Sequence, residues 1–290
     1  MLRHLPYIQY TGFVLRKVSG MNRKQEFYIT CDGVDLHCKL DLPAIFEGGG
    51  ATAGSSTAGG SAGPRVPLVL VIPGLTGDME KSQIVSTAEA LAENGYASLR
   101  VELYGHGKSG GAFFDHTLFH WAVELMQVID YARGLDFASE LFLCGHSQGG
   151  AAAVLGAGLK PDFLSGLILL APAMVVKDSA RTGGFPVSSF DPEHIPDETI
   201  VFTDSRISGN YYRVNRLLPF DDAIALYGDR PVLVVHSPTD EYVPYQYSVR
   251  TAAAFRNAEL YTVPDDDHCF TAHMDLVAAK MIEFLDKIRK

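Results

Sequence analysis

Leu141-Phe142-Leu143-Cys144-Gly145-His146-Ser147-Gln148-Gly149-Gly150 is the stretch that decides the fold. An apolar run stops at a glycine, a serine stands two residues later, and a second glycine closes the frame. Ala151-Ala152-Ala153-Val154-Leu155 then supplies the first turns of a helix. The pattern is G-x-S-x-G between a strand and a helix, which places the serine on a sharp, strained turn with its hydroxyl above the sheet. Gly145 and Gly149 let strand and helix approach closely. The helix aims its free N–H groups and its positive end at that hydroxyl.

Working outward, the chain alternates strands and helices. Glu26–Cys31 and Val34–Leu42 alternate around Asp32-Gly33, a hairpin pattern. A short strand is expected near Gly12–Lys17. Val66–Ile72 is a continuous apolar run, expected as a buried parallel strand. Strands follow at Ala97–Leu103, Leu164–Leu170, Pro231–His236 and Glu259–Val263. Helices are expected at Lys81–Asn94, Leu118–Leu135, from about Tyr245, and at Thr271–Ile288. Such alternation predicts an α/β fold, a mainly parallel sheet with helices on both faces.

Two stretches break the pattern. Residues 47–65 are rich in Gly, Ala, Ser and Thr and predict a flexible surface loop. Residues 172–222 show no clean alternation and predict an inserted cap over the strand ends where open α/β sheets bind ligands. The expected organisation is therefore a core over 1–171 carrying the loop, the cap at 172–222, and the rest of the core at 223–290.

Composition narrows the function. The 290 residues carry a net charge of −10, which argues against nucleic acid or an anionic membrane as partner. There is no run of about 18 apolar residues, so no transmembrane helix is expected. The start of the chain lacks the apolar core of a signal peptide. Cys31, Cys38, Cys144 and Cys269 show neither metal spacing nor a disulfide framework. Reduced thiols in a cytoplasmic protein are the expectation. A homodimer is compatible with the sequence.

A serine hydroxyl is a poor nucleophile near neutral pH and needs a base, which in turn needs an orienting group. In α/β-hydrolases the chain order is Ser, then Asp or Glu, then His. Ser147 is the candidate nucleophile. Ser237-Pro238-Thr239-Asp240-Glu241 follows a late strand and supplies the acid, Asp240, with Glu241 as the competing choice. Asp265-Asp266-Asp267-His268 follows the last strand and supplies the base, His268. The three aspartates lack the repeated frame of a Ca²⁺ loop and are expected as a solvated acidic turn. An oxyanion hole would use the N–H of Gln148 and, from Ile72-Pro73-Gly74-Leu75-Thr76-Gly77, that of Leu75. His236 is expected to be structural. His146 fills the variable position before the serine, and His106 belongs to a tight glycine-rich loop beside the site.

These motifs resemble the α/β-hydrolase superfamily from about Glu26 onward, and within it the bacterial feruloyl (cinnamoyl) esterases. The similar segments are Pro-Gly-Leu-Thr-Gly at 73–77, Tyr-Gly-His-Gly-Lys-Ser at 104–109 and Gly-His-Ser-Gln-Gly-Gly at 145–150. Leu-Leu-Ala-Pro-Ala at 169–173, Asp-Pro-Glu-His-Ile-Pro-Asp at 191–197 and Asp-His-Cys-Phe at 267–270 are more specific to those esterases. Three features depart from the pattern. Pro73 stands where His is usual, which bears on the shape of the acyl pocket. Glu102 replaces the usual Asp, and the loop at 48–63 is longer.

The resemblance implies a serine carboxylesterase for hydroxycinnamate esters, working through an acyl-enzyme without metal or organic cofactor. It implies an aromatic acyl pocket under the cap, with Asp178 and Tyr211 as candidates to meet the ring substituents of a small aromatic ester. The alternatives are a general short-chain esterase or acyltransferase on the same triad and, in another class, a non-catalytic ligand-binding relative. A peptidase has less support, since there is no propeller or large extra domain.

Overall fold

The computed structural model describes residues 23–46, 64–184, 189–202 and 204–289. The strand expected near residues 12–17 and most of the loop at 47–65 lie outside the described residues. Eight strands form one sheet in the order β1-β2-β4-β3-β5-β6-β9-β10. They are β1 Lys24–Cys31, β2 Val34–Asp41, β3 Val66–Ile72, β4 Ala97–Val101, β5 Ala138–His146, β6 Gly166–Leu170, β9 Val232–His236 and β10 Ala258–Thr262. The hairpin β1–β2 is antiparallel, and β2 meets β4 antiparallel. All further pairings, from β4 to β10, are parallel.

The side-chain period of two divides each central strand between two cores. Leu68, Leu70 and Ile72 of β3 join Leu143, Leu169 and Val234 on one face. Val69 and Val71 join Phe142, Ile168 and Leu233 on the other. The first face is covered by α2 (Leu118–Arg133) and α3 (Gln148–Leu159), which contribute Trp121, Leu125, Val154 and Leu155. The second is covered by α1 (Ser82–Glu93) and α8 (Met274–Ile288) through Ile84, Leu91, Val277 and Met281.

Between β6 and β9 the chain makes α4 (Val176–Thr182), a two-stranded hairpin of β7 (Glu198–Val201) and β8 (Ser205–Ser208), α5 (Gly209–Asn215) and α6 (Phe220–Tyr227). These pieces are too short for a periodicity to emerge from sequence. Ala180, Val201, Ile207, Tyr211 and Tyr212 form a small core of their own. Phe220, Ala223 and Ile224 of α6 belong instead to the main core, so the body of the fold resumes by Phe220. The remaining helix, α7 (Tyr245–Ala254), connects β9 to β10.

The buried ionisable groups make opposing demands on pH. Burial holds His106 down to about 4, His116 to about 3 and His146 to about 3. The unfolded chain, titrating near 6.5, takes up protons that the folded chain refuses, so these groups cost stability as pH falls below 6.5. Glu124 works the other way. Its Oε2 accepts the Tyr104 N–H at 2.9 Å, its Oε1 is buried without a partner among the described residues, and burial pushes its carboxyl up to about 7. Its contribution is full below 4.5 and lost as pH rises through 7. Glu124→Gln is therefore expected to stabilise the protein at pH 8, by on the order of 1–3 kcal/mol. It should also steepen the loss of Tm between pH 7 and 5. Calorimetry across that range checks both, and an unchanged or lower Tm at pH 8 contradicts the assignment.

Candidate active site

β5 ends at His146 and α3 begins at Gln148, so the reversal between them rests on Ser147 alone. Ser147 takes φ 55° and ψ −124°, a conformation that only a tightly held residue sustains. Its N–H donates to the Leu170 carbonyl at the end of β6 (2.9 Å), and its carbonyl accepts from Gly150 and Ala173 (2.9 Å each). The flanking glycines are required by space. A Cβ on Gly145 would lie 2.3 Å from the Gly149 oxygen, and one on Gly149 would lie 2.3 Å from the Pro73 oxygen. A Cβ on Gly74 would meet the Ser147 Cβ at 2.8 Å.

A cavity of about 330 Å³ opens above this turn, and Ser147, His268, Leu75 and Gln148 all line it. The Ser147 hydroxyl makes no hydrogen bond among the described residues. Catalytic contacts of this kind often tighten only when substrate binds. Gln148 opens α3, where first-turn N–H groups have no intrahelical acceptor. Val175, Val176, Tyr211 and Tyr212 supply apolar and aromatic wall, and Phe202 and Tyr242 contribute a second aromatic pair, 5.7 Å between ring centres.

Asp240 and His268 come together although 28 residues separate them. Nδ1 of His268 lies 2.6 Å from Oδ2 of Asp240. The Asp240 side chain is fully shielded from solvent. Its Oδ1 accepts the N–H groups of Tyr242 (2.7 Å) and Val243 (2.9 Å). Burial alone would raise this carboxyl, but hydrogen bonds from His236 and His268 more than offset it and hold the group well below the usual carboxylate range. Glu241 reaches only the His268 N–H, at 3.4 Å, and is exposed.

Of the three aspartates before His268, Asp265 and Asp267 are exposed as in a solvated turn, and Asp266 departs from it. Asp266 is buried, and its carboxylate accepts the N–H groups of Asp267 (2.9 Å), Ala272 (3.0 Å) and His273 (2.9 Å). Asp267 accepts those of Cys269 and Thr271. The pair thus builds the loop that carries His268. His146 adds a tie from the elbow: its Nε2 donates to the His268 carbonyl at 2.8 Å.

Asp178 sits on α4, where its Oδ2 accepts the Tyr247 hydroxyl at 2.9 Å, and it is not among the cavity-lining residues. Tyr211 does line the cavity, and its hydroxyl donates to the Gln148 side-chain carbonyl at 2.6 Å. Glu102 stands beneath the Tyr104–Ser109 loop, accepting the N–H groups of Met79 and Lys108 and facing His37 at 2.8 Å. Its longer side chain occupies the space that a Cβ on Gly107 would need.

The chain matches a family model described as serine aminopeptidase, S33, over residues 63–191, and one described as TAP-like protein over 216–289. Among solved structures it is similar to Est1E from Butyrivibrio proteoclasticus with ferulic acid bound. The identity is 40%, the TM-score 0.83, and the match covers 91% of this chain and 100% of that one. The chain belongs to the α/β-hydrolase superfamily. This hydrolase is an esterase-type serine hydrolase within it. It is also similar to a putative esterase/lipase of Haemophilus influenzae, 25% identical over 250 residues, 77% of this chain and 84% of the relative. A non-heme haloperoxidase of Rhodococcus erythropolis is 26% identical over 239 residues, 68% of this chain and 84% of the relative.

Sequence reasoning missed what His236 touches. The hydrolase places its Nε2 2.8 Å from Asp240 Oδ2. The available signal was its spacing, four residues before the acid on an apolar strand.

Because Asp266 satisfies three backbone N–H groups, Asp266→Ala should cost on the order of 2–4 kcal/mol of stability. We expect kcat to fall at least about tenfold as His268 loses its support. Exposed Asp265 has no such role, and Asp265→Ala should stay within about twofold of the parent. Melting curves and initial rates on p-nitrophenyl butyrate check the contrast; equal effects of the two variants would refute it.

Proposed function

We propose that this hydrolase is a serine carboxylesterase that cleaves hydroxycinnamate esters. The observation that carries the reading is the buried Asp240–His268 pair, 2.6 Å apart, whose His268 lines one cavity with Ser147 at its strained turn. Asp240 accepts a hydrogen bond from Nδ1–H of His268, which leaves the Nε2 lone pair to take the Ser147 proton. Ser147 Oγ then attacks the ester carbonyl. The amides of Leu75 and Gln148 receive the developing oxyanion, the alcohol leaves with the proton from His268, and water releases the acid.

The acyl side of the cavity supports an aromatic acid. Val175, Val176, Tyr211 and Tyr212 enclose it, with the elements between β6 and α6 serving as cap. Similarity to a protein that binds ferulic acid points the same way. Tyr211, coupled to Gln148, is the polar group on this wall placed to meet a ring substituent. Asp178 would have to release Tyr247 to do so. An aminopeptidase must hold a substrate ammonium group, yet among the described residues lining the cavity none is Asp or Glu. Among the described residues no helix is long and apolar enough to cross a membrane. The four free thiols support a reducing, cytoplasmic setting.

The test is initial rates on methyl ferulate, methyl caffeate and p-nitrophenyl butyrate. We expect strong turnover of the hydroxycinnamates, lowered by ten-thousandfold or more in Ser147→Ala. Turnover of butyrate alone would keep the triad and discard the aromatic substrate. Binding of ferulate without turnover of any ester would establish the ligand-binding alternative. Transfer to added alcohols in preference to water would establish an acyltransferase.

A further inference from the structure

Two imidazoles meet one carboxylate oxygen at the centre of this site. Nδ1 of His268 lies 2.6 Å and Nε2 of His236 2.8 Å from the same Oδ2 of Asp240. An ionised carboxylate only accepts, so both nitrogens carry hydrogen. The other nitrogen of His236, Nδ1, lies 2.7 Å from the Ser248 hydroxyl on α7. With His236 neutral, that hydroxyl donates to Nδ1 and thereby fixes the tautomer that presents Nε2–H to Asp240. His236, Ser248 and the Asp240 carboxylate are all fully shielded from solvent.

We propose that His236 is a positioning residue for the triad, which holds the Asp240 carboxylate in place and shares its charge with His268. The inference rests on the triad reading above. Its physical basis is competition at Oδ2. Each N–H that the oxygen accepts weakens its pull on the other, so His236 moderates how strongly Asp240 stabilises a protonated His268. It also ties the turn after β9 to the end of that strand.

Few other ionisable groups face His236. The Tyr245 ring on α7 packs against it at 5.6 Å, and Thr262 is its partner on β10. Asp266 is linked to the same turn through Ser237. On the far side of His268 stand Glu241 and the ring of His146, the latter 4.8 Å from the His268 ring. None of these donates to Oδ2, so the sharing is between the two histidines.

The experiment compares His236→Leu, which removes the donor, with His236→Gln, whose amide N–H reaches the same place without titrating. Rates on p-nitrophenyl butyrate are measured from pH 5 to 9, and the imidazole signals of His268 are followed by NMR across the same range. In His236→Leu, kcat should fall roughly tenfold to a hundredfold with KM within about twofold. The acid limb of kcat/KM and the His268 titration should both move upward by about half to one pH unit. His236→Gln should restore the limb and most of kcat. The proposal is overturned if folded His236→Leu keeps the parental limb and titration, or if both variants lose activity only in proportion to lost folded protein. The NMR arm needs no turnover. A wild type inactive on every ester would therefore refute the esterase reading while still deciding whether His236 tunes His268.

Discussion

The backbones of β5, α3 and the end of β3 approach so closely at Ser147 that a methyl group on Gly145 would lie inside the start of α3 and one on Gly149 inside the Ile72-Pro73 backbone. The rest of the site depends on that closeness. A serine at φ 55° carries strain of about 1–3 kcal/mol, and it persists because Leu170 on one side and Gly150 and Ala173 on the other hold its peptide groups. The strand order 5-6-9-10 then does the long-range work. Parallel pairing brings the ends of β5, β9 and β10 to one edge of the sheet, so the turns carrying Ser147, Asp240 and His268 converge from distant parts of the chain.

The second constraint is electrostatic. A carboxylate removed from water must be paid in hydrogen bonds, and Asp240 receives four, two from imidazoles and two from backbone amides. His146 is held neutral by burial and spends its Nε2 proton on the His268 carbonyl. Asp266 spends its carboxylate on the loop amides. The groups around Ser147 and His268 are therefore held by the fold itself, the arrangement that electrostatic preorganisation of the proposed site requires.

Much of this was legible in the sequence. The alternation of apolar runs with amphipathic helices gives the layered sheet, because a period of two and a period near 3.6 are both local properties. Ser147, Asp240 and His268 could be placed by their order after successive strands. The segment after β6 was legible as an interruption and a cap, but not in its elements. Its elements are four to eight residues long; α4, β7, β8 and α5 pack together through Ala180, Val201, Ile207, Tyr211 and Tyr212, and α6 packs on the main core. The roles of His236 and Asp266 were not legible, since a buried histidine and an acidic turn look alike in sequence whether or not a partner lies across the fold. Asp178 shows the converse: a carboxylate that position alone puts near the ligand is engaged with Tyr247.

In the proposed reaction Ser147 carries the acyl group. The most direct measurement is rapid acid quench after mixing with p-nitrophenyl ferulate, followed by intact mass and peptide mapping. A burst approaching one equivalent of nitrophenol and a feruloyl group on the peptide containing Ser147 are expected, both absent from Ser147→Ala. An adduct on Cys269, which also lines the cavity, or turnover that persists without Ser147, would contradict it.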